Sequence, residues 1–290
     1  MELRVLRYFV EAAKEENMTR AAERLHVTQP TLSRQLKDLE QELGQKLFTR
    51  SNYSIHLTPE GNLLYQRALD ILDMADKTSA EFAAMQEFNG GDIHIGCAES
   101  EGISYIAKAF RRLQQRCPNV HIHLYSGNAE QVTTRLDKGL LDFAVVVQNI
   151  DISEYSALAL PSKDRWGVIM RKDSRFVSCK EIPIEKLAEL PLIVSRQGLS
   201  QEMPGWFQEN YERLNIVATY DLLYNASVLV KENIGYALGF DKLIDTGADS
   251  VLCFRPLVPS IESPMHLIWN RSQVFSKAAE LLLDTLREND

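Results

Sequence analysis

No stretch of this 290-residue chain approaches the ~18 consecutive apolar residues of a membrane-spanning helix. Its four cysteines, Cys97, Cys117, Cys179 and Cys253, lie far apart and form no Cys-x-x-Cys pair, so they read as reduced, mostly structural thiols of a cytoplasmic protein. No glycine-rich phosphate loop is present, because Gly96 and Gly102 do not complete a G-x-G-x-x-G pattern, and a dinucleotide cofactor is not expected. Neither a Ser/His/Asp grouping nor a paired-carboxylate motif stands out, so the chain is not read as an enzyme. Positive charge is not in excess: the net charge is −8 and the pI about 5.4. Taken alone, that balance argues against a nucleic-acid binder. The first 17 residues are amphipathic, carry four acids and lack a short apolar core before a small-residue site, so no secretory signal is expected. What remains is ordinary globular material, 45% hydrophobic and 25% charged, enough for two or three domains.

The charge is uneven. Residues 1–58 sum to +1, residues 59–89 to −4 and the remainder to −5. Any nucleic-acid contact must come from local placement of cations rather than from a global field. In the first block Leu3, Leu6, Val10 and Ala13 fall on one helical face. Asn17 is placed to cap a second helix through Ala21, Ala22 and Leu25. Thr28 is placed to cap a third, with Pro30 in its first turn, Leu32, Leu36, Leu39 and Leu43 as its buried stripe, and Gly44 as its stop. Two helices joined by a short turn fit a helix-turn-helix. Lys46–Arg50 and Ile55–Thr58 then bracket the polar turn 51–54 as a hairpin, the wing of a winged helix. With the leucines inward, Thr31, Arg34, Gln35 and Lys37 face outward and Gln29 projects from the helix start. Arg34 suits a bidentate contact to guanine, and Gln35 or Gln29 suits adenine. Ser33, Lys37 and Arg50 suit phosphates. The bland alternative is a merely solvated helix face.

Residues 59–89 contain no proline after Pro59. Leu64, Ala68, Ile71, Ala75, Thr78, Phe82 and Met85 recur at steps of four and three, a coiled-coil seam over about 46 Å of helix. The helix either packs on its own domain or pairs with a second copy. Asn89-Gly90-Gly91 punctuates the chain, and beyond it strands and helices alternate. Strands are expected at Ile93–Cys97, Val120–Tyr125 and Phe143–Val147, with helices over Ile103–Gln115 and Glu130–Lys138, an order that implies a parallel sheet covered on both faces. A second set runs from Trp166–Met170 through Tyr236–Phe240, and Met265–Trp269 with a last helix, Val274–Leu286, closes the chain.

The segments Ala21-Ala22-Glu23-Arg24-Leu25, Thr28-Gln29-Pro30-Thr31-Leu32-Ser33-Arg34-Gln35-Leu36, Leu47-Phe48-Thr49-Arg50 and Leu57-Thr58-Pro59-Glu60-Gly61 resemble LysR-type transcriptional regulators. The similarity continues through Cys117-Pro118-Asn119-Val120, Gly139-Leu140-Leu141-Asp142-Phe143-Ala144 and Asn233-Ile234-Gly235-Tyr236-Ala237, and covers essentially the whole chain. The resemblance implies a multidomain α plus α/β chain: a winged helix-turn-helix at 1–58, a linker and dimerisation helix at 59–89, and an effector domain at 90–290. That domain would comprise two Rossmann-like lobes, lobe I at about 90–161 and 265–290 and lobe II at about 162–264. It also implies a homodimer that pairs further into a homotetramer, double-stranded promoter DNA as partner, and a small-molecule effector, a carboxylate or an amino-acid-like compound. In one respect the chain departs from the family. Tyr53 stands at the wing tip where an arginine is common, which leaves Arg50 as the strong wing cation.

A two-lobed α/β domain binds ligands beyond the carboxyl ends of its strands. Those ends point to Ser100, Glu101, Gly102, Gln148, Asn149, Arg196, Gln197 and Asn225 as effector contacts. Ser100 and the start of the following helix favour an anion, and Arg196 on the opposite lobe could pair with that anion, with Glu99 or Glu101, or serve as a solvated or structural ion-pairing residue. Glu99 and Glu101 would repel a carboxylate unless they point away, and would otherwise favour a ligand bearing an amine. His121 and His123 share a strand face but lack further ligands, so no metal is expected. Cys97 is read as a buried thiol rather than an oxidant sensor. The rival reading is a solute-binding or enzymatic α/β protein with an appended helical segment.

Overall fold

The computed structural model describes residues 1–50, 54–84, 90–147, 151–196 and 205–288, with the backbone alone at 50, 80, 81, 83, 84, 205, 206, 208 and 211. The chain divides into two units, Met1–Ala83 and Ala84–Asp290.

The first unit opens with α1 (Leu3–Glu15), α2 (Met18–Arg24) and α3 (Gln29–Leu43). Asn17 caps α2 by accepting from the backbone N–H groups of Thr19 and Arg20, both at 3.0 Å. Thr28 caps α3 through the N–H of Thr31, and Gly44 ends that helix in a left-handed turn. The core gathers Val5, Leu6, Phe9 and Val10 of α1, Ala21 and Ala22 of α2, and Leu32, Leu36 and Leu39 of α3. Leu3 and Leu43 were expected inside but are exposed. Each is a terminal residue of its helix and overruns the compact three-helix contact. The hairpin is short: β1 (Phe48–Arg50) pairs antiparallel with β2 (Ile55–Leu57). The expected wing tip, Ser51 to Tyr53, lies outside the described residues. Phe48 tilts against Phe9 at 5.3 Å between ring centres, and the N–H of Ile55 donates to the carbonyl of Glu16.

A 26-residue helix, α4 (Pro59–Ala84), follows. Part of its apolar seam is already used. Ala68 and Leu72 are buried in the core of their own unit, with Leu64, Tyr65 and Leu69 packed against it. Of the expected pairing residues, Leu64 and Ala68 are therefore intradomain contacts, because a three-four spacing marks a stripe but not its partner. Ile71 and Phe82 remain exposed, Phe82 at 66%, and Ala75 is half-buried. Met85 lies outside the described residues.

The second unit is an α/β domain. β3 (Gly91–Cys97), β4 (Val120–Ser126) and β5 (Phe143–Val147) are parallel, with α5 (Ile103–Arg116) and α6 (Ala129–Asp137) between them. β5 is apolar along its whole length because both faces are covered. Phe143, Val145 and Val147 join the main core, and Ala144 and Val146 meet Val132 and Leu136 of α6. Next comes one long strand, β6 (Tyr155–Arg171), of which only Trp166–Met170 was expected. β7 (Ile182–Pro183), β8 (Pro191–Ser195), α7 (Gly205–Asn210), β9 (Asn215–Tyr220), α8 (Leu223–Lys231), β10 (Tyr236–Phe240) and β11 (Leu252–Val258) build the second lobe. β12 (Glu262–Asn270) returns to the first lobe, and α9 (Lys277–Arg287) packs on α5 and β3. Along the main sheet path the order is β4-β3-β5-β12-β6-β10-β8-β9. β6 pairs with β12 through Arg165 and with β10 from Trp166 onward. The chain thus passes between lobes along β6 and comes back along β12.

One buried carboxylate ties the first unit together. Glu40, 5% exposed, accepts from the N–H groups of Leu47 at 2.9 Å and Phe48 at 3.3 Å, and from Lys46 Nζ at 3.0 Å. Burial pushes its pKa up, but these hydrogen bonds outweigh burial and hold it below the usual glutamate value. A group stabilised in its ionised form contributes fully above its unfolded pKa and is lost as pH falls through its lower folded value. Glu40→Ala is therefore expected to cost about 3 kcal/mol at neutral pH, by leaving two buried amides unpaired. In denaturant titrations the gap to wild type should narrow below pH ~4.3. Gly61→Ala should also destabilise this unit, because its Cβ would lie 2.1 Å from the carbonyl oxygen of Leu47.

Candidate functional site

Two surfaces carry chemistry, one in each unit. On α3 the apolar stripe faces inward, and Gln29, Pro30, Thr31, Arg34 and Lys37 are exposed. Ser33 and Gln35 are half-buried at the margins of that stripe. The Arg34 side chain is 83% exposed, with Asp38, one turn on, at 3.9 Å as its ion-pair partner among the described residues. Lys37 has no ion-pair partner among the described residues, whereas Arg20 and Arg24 are held by Glu11 and Glu15 of α1. Thr31 shares a 2.8 Å hydrogen bond between hydroxyls with the capping Thr28. The strand position of Arg50 is described, but its side chain is not.

The second surface is a cleft between the lobes, with a cavity of about 60 Å3. Its lining follows the carboxyl ends of parallel strands from both lobes. Ala98 and Glu99 follow β3, Asn128 follows β4, and Val147 ends β5. From the other lobe, Ser195 ends β8, Tyr220 and Asp221 lie at the end of β9, and Gly239 and Phe240 end β10. Trp166 of β6 and Leu223 of α8 complete the floor. The Tyr220 hydroxyl donates to the carbonyl of Leu238 at 2.6 Å, and its pKa is raised by burial and by the charge of Glu99.

The expected effector contacts divide. Ser100 is buried and its hydroxyl turns inward, accepting from the N–H of Gly102 at 2.9 Å beside Met265. Gly102 presses so closely on β12 that a side chain there would strike the sulfur of Met265. Both residues build the hinge rather than line the cavity, and Glu101 is exposed beside them. Arg196 stands at the rim, 3.7 Å from Asp221. Asn225 is exposed on α8 and is not among the lining residues, because the chain is already helical from Leu223. Gln148, Asn149 and Gln197 lie outside the described residues. Trp166, Tyr220, Asp221 and Phe240 were not expected at the site. The strand-end rule points to Tyr220, Asp221 and Phe240, but Trp166 comes from mid-strand and has no such signal.

Behind the cleft the hinge carries a polar cluster. The indole N–H of Trp166 donates to Ser263 Oγ at 3.0 Å. Asp164 is only 5% exposed and, among the described residues, its Oδ2 has no hydrogen-bond partner. Burial raises its pKa, a hydrogen bond from Ser100 and the charge of Lys242 oppose that, and Glu101 reinforces it.

A winged helix-turn-helix joined to a two-lobed α/β domain with an interlobe cleft defines a DNA-binding unit coupled to a ligand-binding one. Residues 3–62 match the bacterial regulatory helix-turn-helix proteins of the lysR family, and residues 86–290 match the LysR substrate binding domain. The Hca operon transcriptional activator HcaR of Escherichia coli is 28% identical, the alignment covering 94% of this chain and 93% of that one. The HTH-type transcriptional regulator YcgK of Bacillus subtilis is 29% identical over 100% of this chain and 95% of its own. Full-length CbnR, solved with its target DNA, superposes with a TM-score of 0.76 at 18% identity and complete coverage of both chains. The chain belongs to the LysR family: it is a DNA-binding transcription regulator with an effector-binding domain. The rival solute-binding or enzymatic reading is not favoured.

Two further expectations concern side chains away from these surfaces. His121 and His123 both approach Asp92, at 3.7 and 3.2 Å, and His123 stacks on His94. Among the described residues no group of three or more His, Cys, Asp and Glu is arranged to hold a metal ion. Likewise, no described helix is long and apolar enough to cross a membrane. Cys97 is buried; burial raises its pKa, and a hydrogen bond with Ser126 opposes the shift only in part. Cys253 is likewise buried and raised, whereas Cys117 and Cys179 are half-buried. In thiol labelling of the folded protein at pH 8, Cys97 and Cys253 should react about tenfold more slowly than the other two. Labelling of Cys97 first would contradict the burial argument.

Proposed function

We propose that the outward face of α3 reads promoter DNA in the major groove and that a small molecule in the cleft governs that reading. The observation that carries the proposal is the division of α3 into a leucine stripe that holds the fold and an exposed polar face with Arg34 extended from it. A recognition helix needs donors and acceptors free to meet base edges. Arg34 then contacts a guanine, Gln29, Thr31 and Gln35 contact neighbouring bases, and Ser33, Lys37 and Arg50 hold phosphates, with Pro30 fixing the first turn. The existence of a CbnR structure with its target DNA, on the same fold, supports this reading.

In this reading residues 1–58 are the DNA reader, 59–89 the linker and 90–290 the sensor, with lobe I at about 90–161 and 265–290. The protein works in the cytoplasm by binding alone, without catalysis. Ile71, Ala75 and Phe82, the part of the α4 seam left uncovered by its own unit, pair with a second copy, and two such dimers join as a tetramer. A ligand alters DNA affinity only through its different affinity for the two arrangements of the regulator, typically 5- to 150-fold.

A gel shift on the DNA upstream of its own gene tests the reading. Arg34→Ala should lose about 1–3 kcal/mol on the specific site and little on scrambled DNA. Lys37→Ala should weaken both alike and reduce the salt slope by about 1. Equal losses on both DNAs for both variants would refute the assignment. The double variant Ile71→Asp, Phe82→Glu should weaken self-association roughly a hundredfold in sedimentation equilibrium. Unchanged association would move the pairing surface elsewhere.

A further inference from the structure

The charge of the cleft says what kind of molecule it takes. Two acids line it, Glu99 and Asp221, and no Lys, Arg or His does among the described residues. Asp221 is answered at the rim by Arg196 at 3.7 Å. Glu99 has no ion-pair partner among the described residues. Its hydrogen bond crosses the cleft: Oε2 accepts from the N–H of Leu223 at 2.5 Å, at the first residue of the nine-residue helix α8. That N–H is the donor a carboxylate would otherwise seek at a helix start, and the chain's own carboxylate already holds it. The neighbouring hinge adds Asp164, deeply buried with an unpartnered oxygen, and Glu101.

The rest of the lining is apolar or aromatic. Trp166, Tyr220 and Phe240 supply ring surface, and Val147, Leu223 and Leu243 supply aliphatic walls. Ring faces attract cations, and they do so more strongly away from water. An anion placed here would meet Glu99 at short range in a partly desolvated space, and among the described residues the nearby cations, Arg196 at the rim and Lys242 at the hinge, act on Asp221 and Asp164 rather than on Glu99. A cation would gain the pairing that Glu99 lacks.

We propose that the effector is a cation with an apolar or aromatic body, an amine or related ammonium compound, and that Glu99 is its counter-ion across the cleft. This rests on the reading of the cleft as the effector site, and of the ligands expected from the sequence it excludes the simple carboxylate and favours the amine that Glu99 and Glu101 suggested. Glu99 plays two parts: it links the lobes through Leu223, and its second oxygen remains to receive the ligand.

The test uses the full-length protein and three probes that share one ring: benzylamine, benzyl alcohol and benzoate. Each is titrated at equal concentration, with thermal unfolding and calorimetry as readouts. Benzylamine should raise the unfolding temperature and bind at least about tenfold more tightly than benzoate. Glu99→Gln keeps an oxygen for the Leu223 N–H and removes only the charge, so it should lose at least about tenfold in benzylamine affinity. Absence of benzylamine binding, equal or tighter binding of benzoate, or undiminished benzylamine binding by Glu99→Gln would overturn the proposal. The same wild-type preparation is assayed on its upstream DNA. Specific DNA binding together with a benzoate preference sinks the ligand class alone, whereas failure to bind any upstream DNA sinks the regulator reading.

Discussion

The sensing half of this molecule depends on one pair of strands. β6 and β12 are hydrogen-bonded to each other from Tyr155 to Arg165, and beyond that point β6 leaves β12 for β10 and β11. The register slips between Pro264 and Met265, at the place where the lobes part. Because the parallel strands of each lobe end toward this crossing, their carboxyl ends face one another and a cleft follows from topology alone. The hinge is packed rather than loose. Met265, Gly102, Ser100 and Trp166 meet there, so a change in lobe angle must repack a small, specific contact. A packed hinge of this kind favours discrete arrangements over continuous bending, which is what a switch requires.

The DNA-binding half is built by a separate division of labour. α3 has two duties, and its periodicity keeps them on opposite sides. Leu32, Leu36 and Leu39 hold the unit, and Glu40 anchors the start of the wing through Leu47 and Phe48. This leaves Arg34 and Lys37 free of structural work. Glu11 and Glu15 of α1 hold Arg20 and Arg24 of α2 in ion pairs, whereas Lys37 of α3 has no ion-pair partner among the described residues. A net charge of −8 is compatible with DNA binding on those terms.

Much of this was legible in the sequence, for physical reasons that differ by element. Helix caps are local, so Asn17, Thr28 and Gly44 read true. β5 and β10 are short apolar runs buried on a sheet, and their bounds were read without error. β6 was read as a fragment because its first eleven residues alternate weakly and run through Ser162, Lys163, Asp164 and Arg165. β11 was missed because Arg255 and Pro256 interrupt its apolar pattern. At the candidate site the strand-end rule located the cleft but not the side chains that turn into it. Ser100 carried the right chemistry and spends it on a backbone amide. Trp166 stands at the start of the expected strand rather than at a carboxyl end, and it reaches the cleft through the crossing of β6. The α4 seam showed a sticky stripe without saying that Ala68 and Leu72 would be claimed by their own core.

The central claim is that two copies of α3 enter the major groove at a fixed separation. Methylation interference on the upstream promoter fragment tests this directly, because methyl groups at guanine N7 block the major groove alone. Two clusters of interfering guanines are predicted, separated by a whole number of helical turns of about 10.5 base pairs each. Interference confined to the minor groove at adenine N3, or a single cluster with no counterpart, would contradict it.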